Sequence, residues 1–142
     1  MTSHPITDAA GLQTLLDSDL FAPWVRELGL QIDAVERDAV HLRLPIVPRH
    51  VHGGGVLCGQ TMMAAADTAM VLAVSAAIGG FKPMTTVQLQ TSFLRPIAGD
   101  SGAARLSARV LRKGKSLLFG EIEITDTRGR LAAHATTTYA LL

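Results

Sequence analysis

Four stretches of the chain alternate apolar and polar residues with period two, and one long stretch does not alternate at all. Val40, Leu42 and Leu44 share a face opposite His41 and Arg43; Val87, Leu89 and Thr91 oppose Gln88, Gln90 and Ser92. Leu106, Ala108 and Val110 oppose Arg105, Ser107 and Arg109, while Leu118, Ile122 and Ile124 oppose Glu121 and Glu123. This is the pattern of half-buried strands. Turns are expected near Arg37-Asp38 and at DTRG (126–129), and RLAAHATTTYALL reads as a final strand. Residues 8–28 read instead as one or two short helices. Leu20, Trp24, Val25 and Leu28 recur at helical spacing, Pro23 comes early and Gly29 is a stop, which predicts an amphipathic lid packed on the core.

The stretch 56–78 is apolar nearly all round, so it predicts a buried helix. It is also long enough to cross a hydrocarbon layer of ~30 Å. Asp67, Gln60, Thr61, Ser75 and many alanines argue against a span, since a charge at the bilayer centre costs at least ~2.5 kcal/mol. The strands each need cover on one face, and this helix can supply it. The expectation is an α+β fold, a curved antiparallel sheet of five or six strands around one long central helix. It forms one domain over 1–142, with 1–28 as its helical lid, and no membrane association.

Composition narrows the function. Of 142 residues 48% are hydrophobic but only 4% aromatic, so the core rests on aliphatic side chains, Met and Ala. With a net charge of +1 and no basic stripe, no nucleic-acid partner is expected. Cys58 is the only cysteine, which rules out an intramolecular disulfide and fits a reducing, cytoplasmic setting. The opening MTSHPITDAAGLQTLLDSD has no basic segment followed by an apolar one, so no signal peptide is expected.

With CGQTMMAAADTAM on its helix and RKGKS…EIEITDTRGRLAAHATTTY at its end, the chain resembles the hotdog-fold acyl-CoA thioesterases, in their PaaI-like branch, over about 29–142. That family carries His-Gly-Gly at the helix start and a carboxylate nine residues after the His. The HGG at 52–54 falls at the wrong distance; nine residues before Asp67 is Cys58. Cys58-Gly59-Gln60 therefore matches in register, with Cys58 in the His position and His52 where members often carry Asn. The resemblance implies Asp67 and Gly59 as catalytic residues, with Cys58, Gln60, Met63 and Thr68 beside the substrate; His52, which departs from the family pattern, is read as a third catalytic residue that orients water or the thioester. It also implies coenzyme A as part of the substrate, a homodimeric or homotetrameric assembly with sites at the dimer interface, and no metal or redox cofactor.

The residues themselves bear on this chemistry. An ionised carboxylate in an apolar site costs several kcal/mol unless paired or solvated, and no Lys or Arg lies within two helical turns of Asp67. Asp67 is either a structural group bonded to backbone or partner, or a nucleophile or general base. Gly59 opens the helix, where free N–H groups can stabilise an oxyanion; it could equally be a plain flexible start. Eight residues at ~1.5 Å each put Gly59 and Asp67 about 12 Å apart, too far for both to touch one reacting carbon. Two antiparallel copies of the helix would bring Gly59 of one chain to Asp67 of the other. His50 and His52 form a His-x-His pair that could hold a metal with Cys58 and Asp67, but spacing alone is weak and a tight site needs three or four convergent ligands, so no metal is expected. Residues 54–61 nearly spell a phosphate loop, but Gln60 stands at the lysine position, which rejects nucleotide hydrolysis. Arg112, Lys113, Gly114, Lys115 and Ser116 are either a solvated hairpin turn or a clamp for coenzyme A phosphates, with Arg95 a second candidate. Met62, Met63 and Met70 are either core or an adaptable acyl pocket. The rival readings are an enoyl-thioester hydratase or dehydratase using His52 with Asp67, and a non-catalytic acyl-CoA binder.

Overall fold

The computed structural model describes residues 8–142. The first seven residues, which open the predicted lid and bear on the signal-peptide reading, lie outside the described part. The order is α1 (Ala9–Leu16), α2 (Pro23–Arg26), β1 (Gln31–Val35), β2 (Ala39–Pro45), α3 (Gly59–Ile78), β3 (Met84–Phe93), β4 (Ala103–Lys113), β5 (Leu117–Thr125) and β6 (Leu131–Leu141). A single turn of 3-10 helix at Pro48–His50 leads toward α3.

All six strands form one antiparallel sheet in the order β1-β2-β4-β5-β6-β3. Short turns join β4, β5 and β6 as neighbours. The helix between β2 and β3 carries the chain across the sheet, so β3 becomes the far edge and pairs with β6. Helix α3 packs against β2, β3, β4, β5 and β6, the central helix the pattern predicted. It is the one helix among the described residues with the length and hydropathy to cross a membrane, and most of it is buried in its own sheet.

Local chemistry sets the ends of α3. Cys58, extended, precedes its first residue, and Gly79 ends it in the left-handed region at φ +81. There the Gly79 N–H meets Ala76 and the Gly80 N–H meets the Ser75 carbonyl at 2.9 Å, a glycine C-terminal cap. Alanines at 65, 66 and 69 are fully buried and let the helix lie close to the strands. Met70 fills the space above Gly120, where any Cβ would overlap its methyl group. Met70 and Met62 are thus core side chains, and Met63 is half-buried.

Two expectations are corrected. Leu20 and Trp24, read as packed, are 57% and 60% exposed. Helix α2 is one turn long; Leu28 is buried and Val25 packs on the core as expected, and Leu12, Leu15, Leu16 and Phe21 supply the rest of the packing. Gln13 ties α1 to β1, accepting from the Ile32 N–H at 2.9 Å and donating to the Leu30 carbonyl at 3.2 Å. Val87, grouped with Leu89 and Thr91, is 59% exposed, because the β3–β6 register shifts between Thr86 and Gln88. The extra residue of this bulge turns Val87 outward and keeps Thr86 inward.

Candidate active site

Asp67 sits in the middle of α3, half-buried, and among the described residues no cation is bonded to it. Two hydroxyls take that place. Thr86 Oγ1 donates to Asp67 Oδ1 at 2.8 Å, and the Tyr139 hydroxyl donates to the same oxygen while lying 2.9 Å from the Asp67 backbone carbonyl. Thr86 and Tyr139 are directly paired across β3 and β6. Burial raises the Tyr139 phenol well above its ordinary value, and the bond to Asp67 and the Asp67 charge add to this against an opposing contact from Thr86. Tyr139 therefore stays a donor whenever Asp67 is ionised. Among the described residues, Asp67 Oδ2 has no hydrogen-bond partner.

The start of α3 forms a second locus. The first bond of the helix runs from the Met62 N–H to the Cys58 carbonyl at 3.2 Å, so the N–H groups of Gly59, Gln60 and Thr61 precede the helical ladder. A cleft of about 330 Å³ opens there, lined by His52, Gly59, Met62, Phe93 and Arg95 among others. The Phe93 ring lies over Gly59, 3.1 Å from where a Cβ would stand, so glycine keeps this backbone approachable. His52 Nδ1 accepts from the Gly54 N–H at 2.9 Å. A neutral His52 therefore carries its proton on Nε2, a donor at the cleft. The HGG at 52–54 is a turn, closed by the Gly55 N–H to the His52 carbonyl at 2.9 Å, with Gly55 at φ +80.

The predicted site residues thus fall into groups. His52, Gly59 and Arg95 share one cleft. Gln60 faces another, of about 370 Å³, with Trp24, Arg49, His50 and Ala64. Burial, then the Arg49 charge, lowers the His50 pKa and keeps this imidazole neutral. Cys58 precedes the helix with no side-chain cap bond. Thr68 is buried and returns its hydroxyl to the Ala64 carbonyl at 2.8 Å, so it points into its own helix. Arg112, Lys113, Lys115 and Ser116 are exposed around the β4–β5 turn, where the Gly114 N–H meets the Leu117 carbonyl at 2.8 Å. No group of three His, Cys, Asp or Glu converges among the described residues.

Thr86, Tyr139 and Phe93 do not figure in the sequence reading. The chain's only tyrosine, on the inner face of a predicted strand, was the available signal, since a buried phenol needs a partner.

Comparison with known proteins agrees with this fold. Residues 50–133 match the thioesterase superfamily. A Thermoplasma volcanium protein provisionally named an esterase is 28% identical over 142 residues, covering 94% of this chain and 96% of its own. The structure of a Haemophilus influenzae thioesterase superposes with a TM-score of 0.82 at 25% identity, covering 94% of this chain and 90% of that one. A Ralstonia eutropha protein, provisionally named a thioesterase and related to phenylacetic acid degradation, superposes at 0.78 with 26% identity, covering 92% and 98%. With its central helix and six-stranded antiparallel sheet, the chain belongs to the thioesterase superfamily as a PaaI-like hotdog protein, and its reaction class is thioester hydrolysis.

Proposed function

We propose that the protein hydrolyses acyl-CoA thioesters to the free acid and CoA, in a site completed by two protomers. One observation carries the reading. Gly59 and Asp67 stand eight residues apart on one unbroken helix, about 12 Å at ~1.5 Å per residue, and both have open hydrogen-bonding capacity. A two-fold axis that sets two α3 helices antiparallel brings Gly59 of one protomer to Asp67 of the other, twice per dimer.

In such a site the thioester carbonyl oxygen accepts from the Gly59 N–H and from His52 Nε2–H. Asp67 of the opposite protomer uses its free Oδ2. As a general base it takes a proton from water as the water oxygen bonds to the acyl carbon. As a nucleophile it forms an acyl anhydride that water then opens. Either way the C–S bond breaks, the sulfur leaves as thiolate and takes up a proton, and the carboxylate is regenerated.

The sheet register supports the placement of coenzyme A. Lys113 pairs with Leu118, and Leu118 with Tyr139, so the RKGKS turn lies toward the Asp67 end of its own chain. Arg95 follows Phe93 toward the Gly59 end. Antiparallel helices put the turn of one protomer and Arg95 of the other around one site, as cations for the phosphates. No metal or redox cofactor enters this reaction.

The test is thiol release from a panel of acyl-CoA thioesters by wild type and Asp67→Asn, both verified as folded oligomers. The expected result is release by wild type that drops by roughly 10²–10⁴-fold in the variant. Release indifferent to Asp67, or a hydroxyacyl-CoA product without free thiol, would overturn the proposal.

A further inference from the structure

We propose that Tyr139 is a positioning residue, holding Asp67 in the one orientation that presents Oδ2 to the substrate; this rests on the thioesterase reading of Asp67 given above. Tyr139 is 2% exposed and lies under the middle of α3. Its oxygen contacts both the backbone carbonyl and the side-chain Oδ1 of Asp67, so one rigid phenol registers the helix and the carboxylate together. Thr86, its cross-strand partner, adds a second donor to Oδ1. An aspartate held only by its own two torsions sweeps between rotamers. Two hydroxyls fixed to adjacent strands of the sheet remove that freedom and saturate one oxygen, which leaves the other for chemistry.

The β3 bulge belongs to the same device. It comes directly after Thr86 and shifts the pairing register by one residue, so Thr86 points inward at the rung where Tyr139 stands. A buried tyrosine with a purely structural role would be satisfied by the backbone carbonyl alone. Here the phenol also reaches the only charge on α3.

Tyr139→Phe keeps the ring and removes only the oxygen. In the whole oligomeric protein, kcat for thiol release should fall about 10- to 100-fold. KM should stay within about threefold, because a misaimed base weakens the transition state and not ground-state binding. Thr86→Val should lower kcat in the same way, and Thr86→Ser should restore it.

A folded Tyr139→Phe protein with more than half the wild-type kcat would overturn the proposal, as would a folded Thr86→Val protein with more than half of it. Should Tyr139→Phe fail to fold, the Thr86→Val and Thr86→Ser pair decides. A wild type that cleaves no thioester defeats the thioesterase reading, and the positioning role falls with it. An active wild type with an active Tyr139→Phe defeats the positioning role alone.

Discussion

Asp67 keeps a carboxylate inside an apolar helix without a counter-ion. Its stabilisation comes from hydroxyls of β3 and β6, and this arrangement satisfies one oxygen only. Asp126 shows the contrasting, structural use of the same side chain. It is 5% exposed and accepts from the Arg128 and Arg130 N–H groups and from Arg130 Nε, at 2.8–2.9 Å, to close the β5–β6 turn. The Arg130 N–H, foremost, holds its carboxyl below the ordinary 3.8; burial opposes this, and the Arg130 guanidinium and Arg128 N–H assist. A carboxyl depressed in the folded state contributes stability above its unfolded pKa, and loses it as pH falls through the folded value. Asp126→Asn should therefore melt below wild type at neutral pH, with the gap closing under about pH 4; a gap that persists in acid would contradict this. At this scale Asp67 and Gly59 were legible, because one is a lone charge in an apolar run and the other stands at a fixed distance before it. Thr86 and Tyr139 were not. They lie 19 and 72 positions from Asp67 and meet it only through strand pairing and a bulge that alternation alone does not reveal.

The elements divide the work between burial and exposure. Helix α3 reads as buried because the sheet wraps it, and its start stays open because Gly59 admits an approach that any Cβ would narrow against Phe93. Proline is tolerated at the first helical position, and the extended Cys58 before it suits a following proline. Gly59→Pro should thus preserve α3 yet delete one candidate oxyanion donor, with kcat lowered about 10²–10³-fold; a loss equalled by Gly59→Ala, which keeps the N–H, would point to crowding by the new side chain instead. Gly120 answers to packing. An alanine there would overlap Met70 and stand 2.7 Å from the Arg109 carbonyl, so Gly120→Ala should cost about 1–3 kcal/mol in a denaturant titration. The strands were legible from their period, except at Val87, where an inserted residue breaks the alternation. The N-terminal segment was legible as helical. Its packed face was legible only at Val25 and Leu28, because α2 is a single turn that leaves Trp24 outside and the leucines of α1 do most of the packing.

At the scale of the whole molecule, the sheet order places β3 at an edge, with Phe93 and Leu94 exposed beside the Gly59 cleft. The long helix was legible as the centre of the fold, but the crossing that pairs β3 with β6 is set by the helix intervening between β2 and β3, which no local pattern records. The proposed composite site would turn the spacing on one helix into a property of two chains, and this central claim can be tested by subunit mixing. Asp67→Asn and Gly59→Pro proteins, each inactive alone, are unfolded and refolded together, and thiol release from an acyl-CoA that wild type cleaves is measured. Half of the randomly formed dimers are mixed, and each mixed dimer holds one intact site of two, so recovery should reach about a quarter of wild-type activity. A mixed population that exchanges subunits yet stays as inactive as its parents would contradict the shared site.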